Sequence, residues 1–280
     1  MAVVIIPAYK PDQTLQMIVD GLWTYGHQVI VVDDGSGEEY QKEFDKVKDI
    51  CIVLTHPVNR GKGAAIKTAL HYIKQEVWDC DVIGIMDADG QHLVEDLVKV
   101  SEFSRTHKNT LVLGVRTVGK EMPLKSRLGN AITRTVFRIV SGVKVSDTQT
   151  GLKAFGPELV PELLKVEGDR YEYEMNALMS FARKRIPIME VPIHTVYRDK
   201  SNSTSHFHAF WDSVRIYKNI FKFTLFSLTS FILEIFVHIL HFPVYLAKLL
   251  TESILFLVSW LIQDGVIFRN KGKGRLYREV

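Results

Sequence analysis

Two aspartates separated by a single residue form the first group in the sequence that could do chemistry. Asp87 and Asp89 stand in "VIGIMDADGQH", directly after the apolar run 82–86 and before a glycine. Two carboxylates this close repel each other unless a cation lies between them, so the spacing suggests a metal site. The alternative is an Asp-rich turn that caps the helix expected from about Leu93 onward.

Two further loops carry groups that suit a nucleoside diphosphate. In "VVDDGS", Asp33 and Asp34 follow an apolar run, where a carboxylate can accept hydrogen bonds from a base or a ribose. In "NRGKG", Gly61 and Gly63 allow close approach of the backbone beside the cation of Lys62. A divalent ion on the acidic pair would add positive charge for the phosphates. The loops together predict a pocket for a nucleotide that carries a diphosphate.

These loops must meet if they act together, and the pattern of the sequence up to about residue 116 brings them to one edge. Apolar runs alternate there with amphipathic helical patterns and occur at 3–6, 29–32, 50–54, 82–86 and 111–115. The alternation predicts an α/β fold with a mostly parallel sheet flanked by helices, in which ligands bind at the carboxyl ends of the strands. Residues 122–196 are less regular and include the polar loop "SDTQTG". We expect this half to complete the sheet and to form the acceptor side of the cleft.

The sequence changes in character after residue 218. Two apolar stretches, 223–242 and 244–268, lie on either side of Pro243, and each is long enough to span a bilayer. Polar residues nevertheless share one helical face in each stretch: Glu234, His238 and His241, then Lys248, Glu252, Ser259 and Gln263. Basic residues at the outer ends favour a two-helix membrane hairpin with both ends in the cytoplasm: Lys218, Lys222, Arg269, Lys271 and Lys273. Helices in the membrane interface and a buried hairpin of a soluble protein are the alternatives, and polar faces that meet between subunits would give a homo-oligomer.

The composition limits the classes of partner. A formal net charge of +3 over 280 residues is too small to indicate nucleic-acid binding. Cys51 and Cys80 have neither CxxC spacing nor a cluster of ligands around them, which is typical of core residues in a reducing compartment. The first apolar run is followed by "PAYKPD" instead of G-x-G-x-x-G, so a nicotinamide dehydrogenase is disfavoured.

The sequence resembles the family 2 glycosyltransferases of the GT-A fold, and within them the polyprenyl-phosphate-using branch that includes dolichyl-phosphate mannose synthase. The resemblance covers roughly residues 3–217 and rests on "VVIIPAYKPD", "IVVDDGSG", "NRGKGAAIKTAL", "MDADGQH", "LGVR", "DTQTGLKAF" and "EVPIHTVYRDKSNSTSHF". We therefore expect a Rossmann-like GT-A catalytic domain over 1–217, the membrane hairpin over 218–270 and a basic cytoplasmic tail over 271–280. Such a chain would be a multi-pass protein of the cell membrane with its catalytic domain in the cytoplasm.

The resemblance also implies roles for individual residues. Pro7, Tyr9, Asp34 and Lys62 would line the nucleotide pocket. Asp87, Asp89 and Gln91 would surround the metal ion, Mg²⁺ or Mn²⁺, and the diphosphate. Arg116 and Arg127 would hold the phosphate of the acceptor. The sequence departs from the family pattern at Lys10, where many relatives have Asn, and at "SHF", where "SKF" or "SKL" is commoner.

Two acceptors fit this interpretation. In the favoured one, an inverting enzyme moves a sugar from a nucleotide-sugar donor to a membrane polyprenyl phosphate, and the metal on Asp89 together with Arg198 stabilises the leaving diphosphate. A lipid phosphate is anionic near neutral pH and needs cations to position it more than a strong base. In the alternative, the acceptor is a saccharide hydroxyl in cell-surface polysaccharide synthesis, which requires a base: Asp147, Glu172 or Glu174. A membrane-anchored nucleotide-binding protein without catalysis is a third, disfavoured reading.

Overall fold

The computed structural model describes residues 2–76, 80–116, 134–135, 137–138, 141–194, 229 and 232–263. They belong to two compact units, Met1–Ile220 and Phe221–Val280. Arg127 and Arg198, both predicted to bind phosphate groups, lie outside the described residues. The loops predicted to bind the nucleotide all belong to the first unit.

A sheet forms the centre of the first unit and has seven strands among the described residues. They are β1 (Ala2–Ala8), β2 (Gln28–Asp33), β3 (Ile52–Thr55), β4 (Val82–Ile85), β5 (Leu111–Arg116), β6 (Lys153–Phe155) and β7 (Ile188–Ile193). Their order is β3-β2-β1-β4-β6-β5-β7. The strand pairs are parallel except those of β6, which runs antiparallel to both β4 and β5. The predicted α/β class with a mostly parallel sheet is confirmed.

Helices follow most of the strands. They are α1 (Thr14–Thr24), α2 (Gln41–Asp45), α3 (Lys62–Gln75), α4 (Val94–Thr106), α5 (Val160–Leu164) and α6 (Glu172–Arg183). In α1 the buried residues Leu15, Ile18, Val19 and Leu22 recur at helical spacing. They belong to the same core as the inward residues of β1 and β2, which explains why this stretch is an amphipathic helix.

The register of the central strands fixes where the loops emerge. Ala8 at the end of β1 pairs with Asp33 at the end of β2, and Ile5 pairs with Ile85 at the end of β4. The residues of β1 are buried along almost the whole strand, as expected for a parallel strand that is covered on both faces. The strand ends therefore carry the loops after β1, β2 and β4 to the same edge of the sheet.

The second unit contains a π-helical turn (Ile235–Ile239) and α7 (Val244–Gln263). The rings of Phe236 and Phe242 stack with their centroids 5.7 Å apart. Lys248 and Glu252, on the predicted polar face, are exposed, while Ala247 and Thr251 are buried. Within the described residues, none of the helices combines the length and the apolar character needed to cross a bilayer. The two-span hairpin stays a prediction.

Candidate active site

A cavity of about 620 Å³ lies at the edge of the sheet where the loops meet. Six of the residues that the sequence assigned to the donor site line it: Pro7, Tyr9, Asp34, Lys62, Asp87 and Asp89. Lys10, Asn59, Gly61, Arg170 and Tyr171 line it as well. Gln91 contributes a backbone N–H, which donates to Asp89 Oδ1 at 3.0 Å. The structure thus brings together residues that are more than a hundred positions apart in the sequence.

Asp34 organises the loop that precedes α3. Its carboxylate accepts hydrogen bonds from the backbone N–H groups of Arg60 at 2.9 Å and Gly61 at 2.7 Å. It also contacts Nδ1 of the buried His56 at 2.7 Å, and the other ring nitrogen of His56 lies 2.9 Å from Thr68 Oγ1. Asp34 therefore gives the "NRG" turn its shape, and its predicted contact with a base or ribose would use the remaining acceptor capacity of the carboxylate.

The glycines of "NRGKG" are required by packing within the protein. Gly61 has φ +109°, and a Cβ there would lie 2.4 Å from the carbonyl oxygen of Asp169. A Cβ on Gly63 would lie 2.5 Å from the Cβ of Tyr173. Both distances are shorter than two such atoms can approach, so any other residue would push the start of α6 away. The close approach inferred from the sequence is therefore made to the segment before and within α6.

Lys62 stands at the start of α3 and joins two acidic groups. Its Nζ lies 2.7 Å from Asp87 Oδ1 and 3.1 Å from Glu174 Oε2. Burial alone would lower the pKa of Lys62, but the two carboxylates outweigh that effect and raise it. Burial likewise opposes ionisation of Asp87, and the Lys62 ammonium reverses this and lowers its pKa. Lys62 and Asp87 are both charged at neutral pH.

Asp89 is a partly buried carboxylate beside a second carboxylate, Asp87, and such a pair is suited to bind a cation. Burial and, to a smaller extent, the nearby Asp87 carboxylate together raise the pKa of Asp89 to about 6. A divalent ion would remove the repulsion between the two acids. Oxygen ligands are those that Mg²⁺ and Mn²⁺ prefer, so the pair fits such an ion, with Gln91 as the predicted third ligand. In the described part of the chain no group of at least three His, Cys, Asp or Glu surrounds one point, so other oxygens would complete the coordination.

His92 is buried, and the charge of Asp87 acts on it. Burial lowers the pKa of His92 to about 4, Asp87 opposes this shift, and the cations of Arg116, Lys62 and Lys153 add to it. Its Nδ1 has no hydrogen-bond partner among the described residues. His92 is therefore neutral near pH 7, and charged groups of both the donor and the acceptor side act on it.

Two of the groups predicted for the acceptor side, Arg116 and Asp147, form one ion pair. Arg116, at the end of β5, donates from Nε to Asp147 Oδ2 at 2.6 Å and from Nη2 to Asp147 Oδ1 at 3.1 Å. Asp147 also accepts from the backbone N–H of Gln149 at 3.0 Å and is only 2% exposed. The pair fixes the plane of the guanidinium and engages both oxygens of the carboxylate.

The two glutamates of "YEYE" point to different partners. Glu172 Oε1 accepts from the backbone N–H groups of Asp169 and Arg170, each at 3.3 Å, and so caps the start of α6. Glu174 binds Lys62 through Oε2 and Lys153 through Oε1. Lys153 was not identified from the sequence, because the pattern of a short strand does not indicate which distant carboxylate a lysine in it will contact.

Comparison with known proteins gives the family. Residues 3–157 match the sequence family described as "Glycosyl transferase family 2". The chain belongs to this family. It is 31% identical over 206 residues to an uncharacterized protein of Methanocaldococcus jannaschii. The aligned region covers 71% of this chain and 83% of the relative.

Several relatives of this glycosyltransferase have names that state an activity. The UDP-N-acetylglucosamine–dolichyl-phosphate N-acetylglucosaminyltransferase of Methanococcus voltae is 29% identical over 218 residues, 70% of this chain and 86% of the relative. The undecaprenyl-phosphate mannosyltransferase of Micrococcus luteus is 28% identical over 210 residues, 71% of this chain and 85% of the relative. A crystal structure of glucosyl-3-phosphoglycerate synthase from Mycobacterium tuberculosis, with Mn²⁺, UDP and glucosyl-3-phosphoglycerate, has a TM-score of 0.56 at 17% identity, over 80% of this chain and 78% of that one. This likeness shows that the fold of the glycosyltransferase is GT-A-like.

Proposed function

We propose that the protein is an inverting, metal-dependent glycosyltransferase that moves a sugar from a nucleotide-sugar donor to a membrane polyprenyl phosphate. The named activities of the Methanococcus and Micrococcus relatives support the lipid phosphate as acceptor. The cavity beside Asp87 and Asp89 supports a nucleoside diphosphate with a divalent ion as donor group. When bound, Mg²⁺ or Mn²⁺ on Asp87, Asp89 and Gln91 would neutralise charge on the leaving diphosphate.

The observation that carries the choice of acceptor is the state of the three candidate bases. Asp147 is bound by Arg116, Glu174 by two lysines, and Glu172 by the backbone at the start of α6. Asp147 and Glu174 would have to turn away from their cations to reach a sugar hydroxyl, and Oε2 of Glu172, which has no hydrogen-bond partner among the described residues, is buried. A lipid phosphate arrives already anionic and makes no such demand, so this arrangement favours it.

The residues of the chain then have distinct tasks. Lys62 supplies a fixed positive charge at the donor cavity, and the turn shaped by Asp34 keeps it there. Arg116, oriented by Asp147, presents a guanidinium on the acceptor side, and Arg127 is the second predicted phosphate ligand. Arg198 would add charge at the leaving diphosphate. His92 stays neutral and adds no charge to the site.

The acceptor also requires contact with a membrane. We propose that residues 218–270 form the hairpin expected from the sequence, with the catalytic domain over 1–217 and the basic tail over 271–280 on the cytoplasmic side. The exposed apolar side chains of Val244, Tyr245 and Leu249 at the start of α7 are suited to lipid contact. Contact between the polar faces of two such hairpins would give the homo-oligomer.

The decisive experiment measures where the sugar goes. The full-length protein in membranes is incubated with a panel of labelled nucleotide sugars, Mn²⁺ and polyprenyl phosphate, followed by organic extraction. We expect label in the organic phase, none with the unphosphorylated polyprenol, and none after EDTA or with Asp89→Asn. Label transferred to an added saccharide at the same rate without lipid phosphate would assign the enzyme to hydroxyl acceptors.

A further inference from the structure

Lys62 belongs to a series of alternating charges that starts outside the donor cavity. Lys153 is the first residue of β6 and lies opposite Ile85, two positions before Asp87. Its side chain is buried, at 6% exposure, and its Nζ donates to the carbonyl oxygen of Thr150 at 2.5 Å and to Glu174 Oε1. A carboxylate and a carbonyl thus provide the hydrogen-bond acceptors that a buried amino group needs.

Glu174 connects this buried lysine to the cavity. One carboxylate oxygen binds Lys153, and the other lies 3.1 Å from Lys62 Nζ. Lys62 in turn lies 2.7 Å from Asp87 Oδ1. The order Lys153, Glu174, Lys62, Asp87 alternates in sign, and each carboxylate or ammonium between the ends is shared by two partners of opposite charge. Neither Lys153 nor Glu174 is among the described residues that line the cavity.

We propose that Lys153 and Glu174 are positioning residues that set where the ammonium of Lys62 lies between Asp87 and the diphosphate of the donor. This inference rests on the proposed donor chemistry. A lysine has a flexible stem, so the location of its charge depends on the groups that attract it. Glu174 divides its negative charge between two ammonium groups and therefore leaves Lys62 within reach of Asp87.

Removal of Lys153 changes this balance. The whole charge of Glu174 would then act on Lys62 and draw it toward α6, away from the cavity. Asp87 Oδ2 is packed against Gly151, where a Cβ would lie 1.9 Å from it, so we expect Asp87 to keep its position. The diphosphate would lose a cation, while Asp87 would lose a competitor for Mn²⁺. Binding of the diphosphate is thus expected to weaken, whereas binding of Mn²⁺ alone should be unchanged or stronger.

The test uses the full chain and measures two kinds of ligand, nucleoside diphosphates and Mn²⁺, with no acceptor present. Affinity for UDP and for GDP is measured by calorimetry in Mn²⁺, and affinity for Mn²⁺ alone by electron paramagnetic resonance. The unmodified protein shows which of UDP and GDP binds. For Lys153→Met we expect the Kd of that diphosphate to rise about tenfold, as is usual for residues that orient a ligand-binding group. The Kd for Mn²⁺ alone should stay the same or fall, whereas a damaged fold would raise both. Lys153→Arg should restore most of the affinity.

A double-mutant cycle tests whether the effect passes through Lys62. If it does, Lys153→Met adds nothing to the diphosphate Kd in a Lys62→Met background. Lys165→Met, which removes an exposed lysine from its pair with Glu162 on the surface, is the matched control and should change neither affinity. Equal losses in both backgrounds, or an unchanged diphosphate Kd, would overturn the inference.

The same cycle can be run with Glu174→Gln, which keeps the size of the side chain and covers the case in which Lys153→Met does not fold. Without the charge of Glu174, Lys62 is held by Asp87 alone, so we expect the Kd for Mn²⁺ alone to rise, opposite to the effect of Lys153→Met, and this rise to disappear in the Lys62→Met background. Because no acceptor is present, a wrong acceptor assignment would leave these results intact and would appear only in the lipid-transfer assay.

Discussion

Arg116 and Asp147 are oppositely charged and largely buried, so a substitution at either position is expected to alter both acceptor binding and the stability of the fold. Asp147 is 2% exposed and depends on the guanidinium for its charge balance. Removing one partner of a buried pair typically costs about 3 kcal/mol, because the other charge is left without compensation. A loss of activity in Arg116→Ala alone would therefore not separate a role in acceptor binding from a role in folding.

The double variant Arg116→Met/Asp147→Asn separates the two roles. We expect it to recover most of the stability lost by Arg116→Ala, measured by urea unfolding, because no orphaned charge remains. Its KM for polyprenyl phosphate should still be raised by about tenfold to a hundredfold, the value of a lost charge-assisted contact. The Kd for the nucleotide, measured by calorimetry, should stay unchanged. A normal KM for the lipid in the double variant would show that Arg116 serves only to balance Asp147.

At the scale of elements, the junction between α3 and the start of α6 determines the shape of the donor cavity. Gly63 is in the first turn of α3, and the nearest atoms to an added Cβ are the Cβ of Tyr173 at 2.5 Å and the backbone of Asp169 at 2.9 Å. Neither can move without shifting α6. Gly21 in α1 is a matched helical glycine, whose added Cβ would contact the side chain of Val94, with the nearest atom a methyl carbon at 3.0 Å.

We therefore expect Gly63→Ala to destabilise the protein by about 1–3 kcal/mol, the usual cost of overpacking. Gly21→Ala should have a smaller effect, because alanine favours a helix and the neighbouring methyl group can yield. The measurement is the free energy of urea unfolding for both variants. The Gly63 variant should also bind the nucleotide more weakly, since α6 carries Glu174. Equal stabilities for the two variants would contradict the packing argument.

The sequence predicted some elements well and others poorly, for identifiable physical reasons. Continuous apolar runs before "DDGSG" and "DADGQH" became β2 and β4, because burial on both faces leaves a direct mark on composition. The insertion of β6 between β4 and β5 left no such mark, since strand order depends on the three-dimensional course of the chain. The same limit applied to the site: the aspartates were evident from their spacing, whereas the pairs Arg116–Asp147 and Lys153–Glu174 join residues distant in sequence.

At the scale of the whole molecule, the two units must act together, because the proposed acceptor is a lipid and the donor is soluble. The second unit has exposed apolar residues on α7, and its described helices do not meet the length and hydropathy expected of a membrane span. A hairpin and a pair of interfacial helices differ in one measurable respect. The turn near Pro243 lies outside the cell in a hairpin and on the cytoplasmic side in the interfacial arrangement.

Cysteine accessibility distinguishes these arrangements. In a background without Cys51 and Cys80, His241→Cys reports on the turn and Arg275→Cys on the basic tail. For the hairpin we expect a membrane-impermeant maleimide to label His241→Cys in intact cells and Arg275→Cys only after permeabilisation. Labelling of both only after permeabilisation would indicate helices in the interface, and labelling of Arg275→Cys from outside would contradict a cytoplasmic tail. The hairpin is expected because basic residues flank both of its ends, and such residues are retained on the cytoplasmic side.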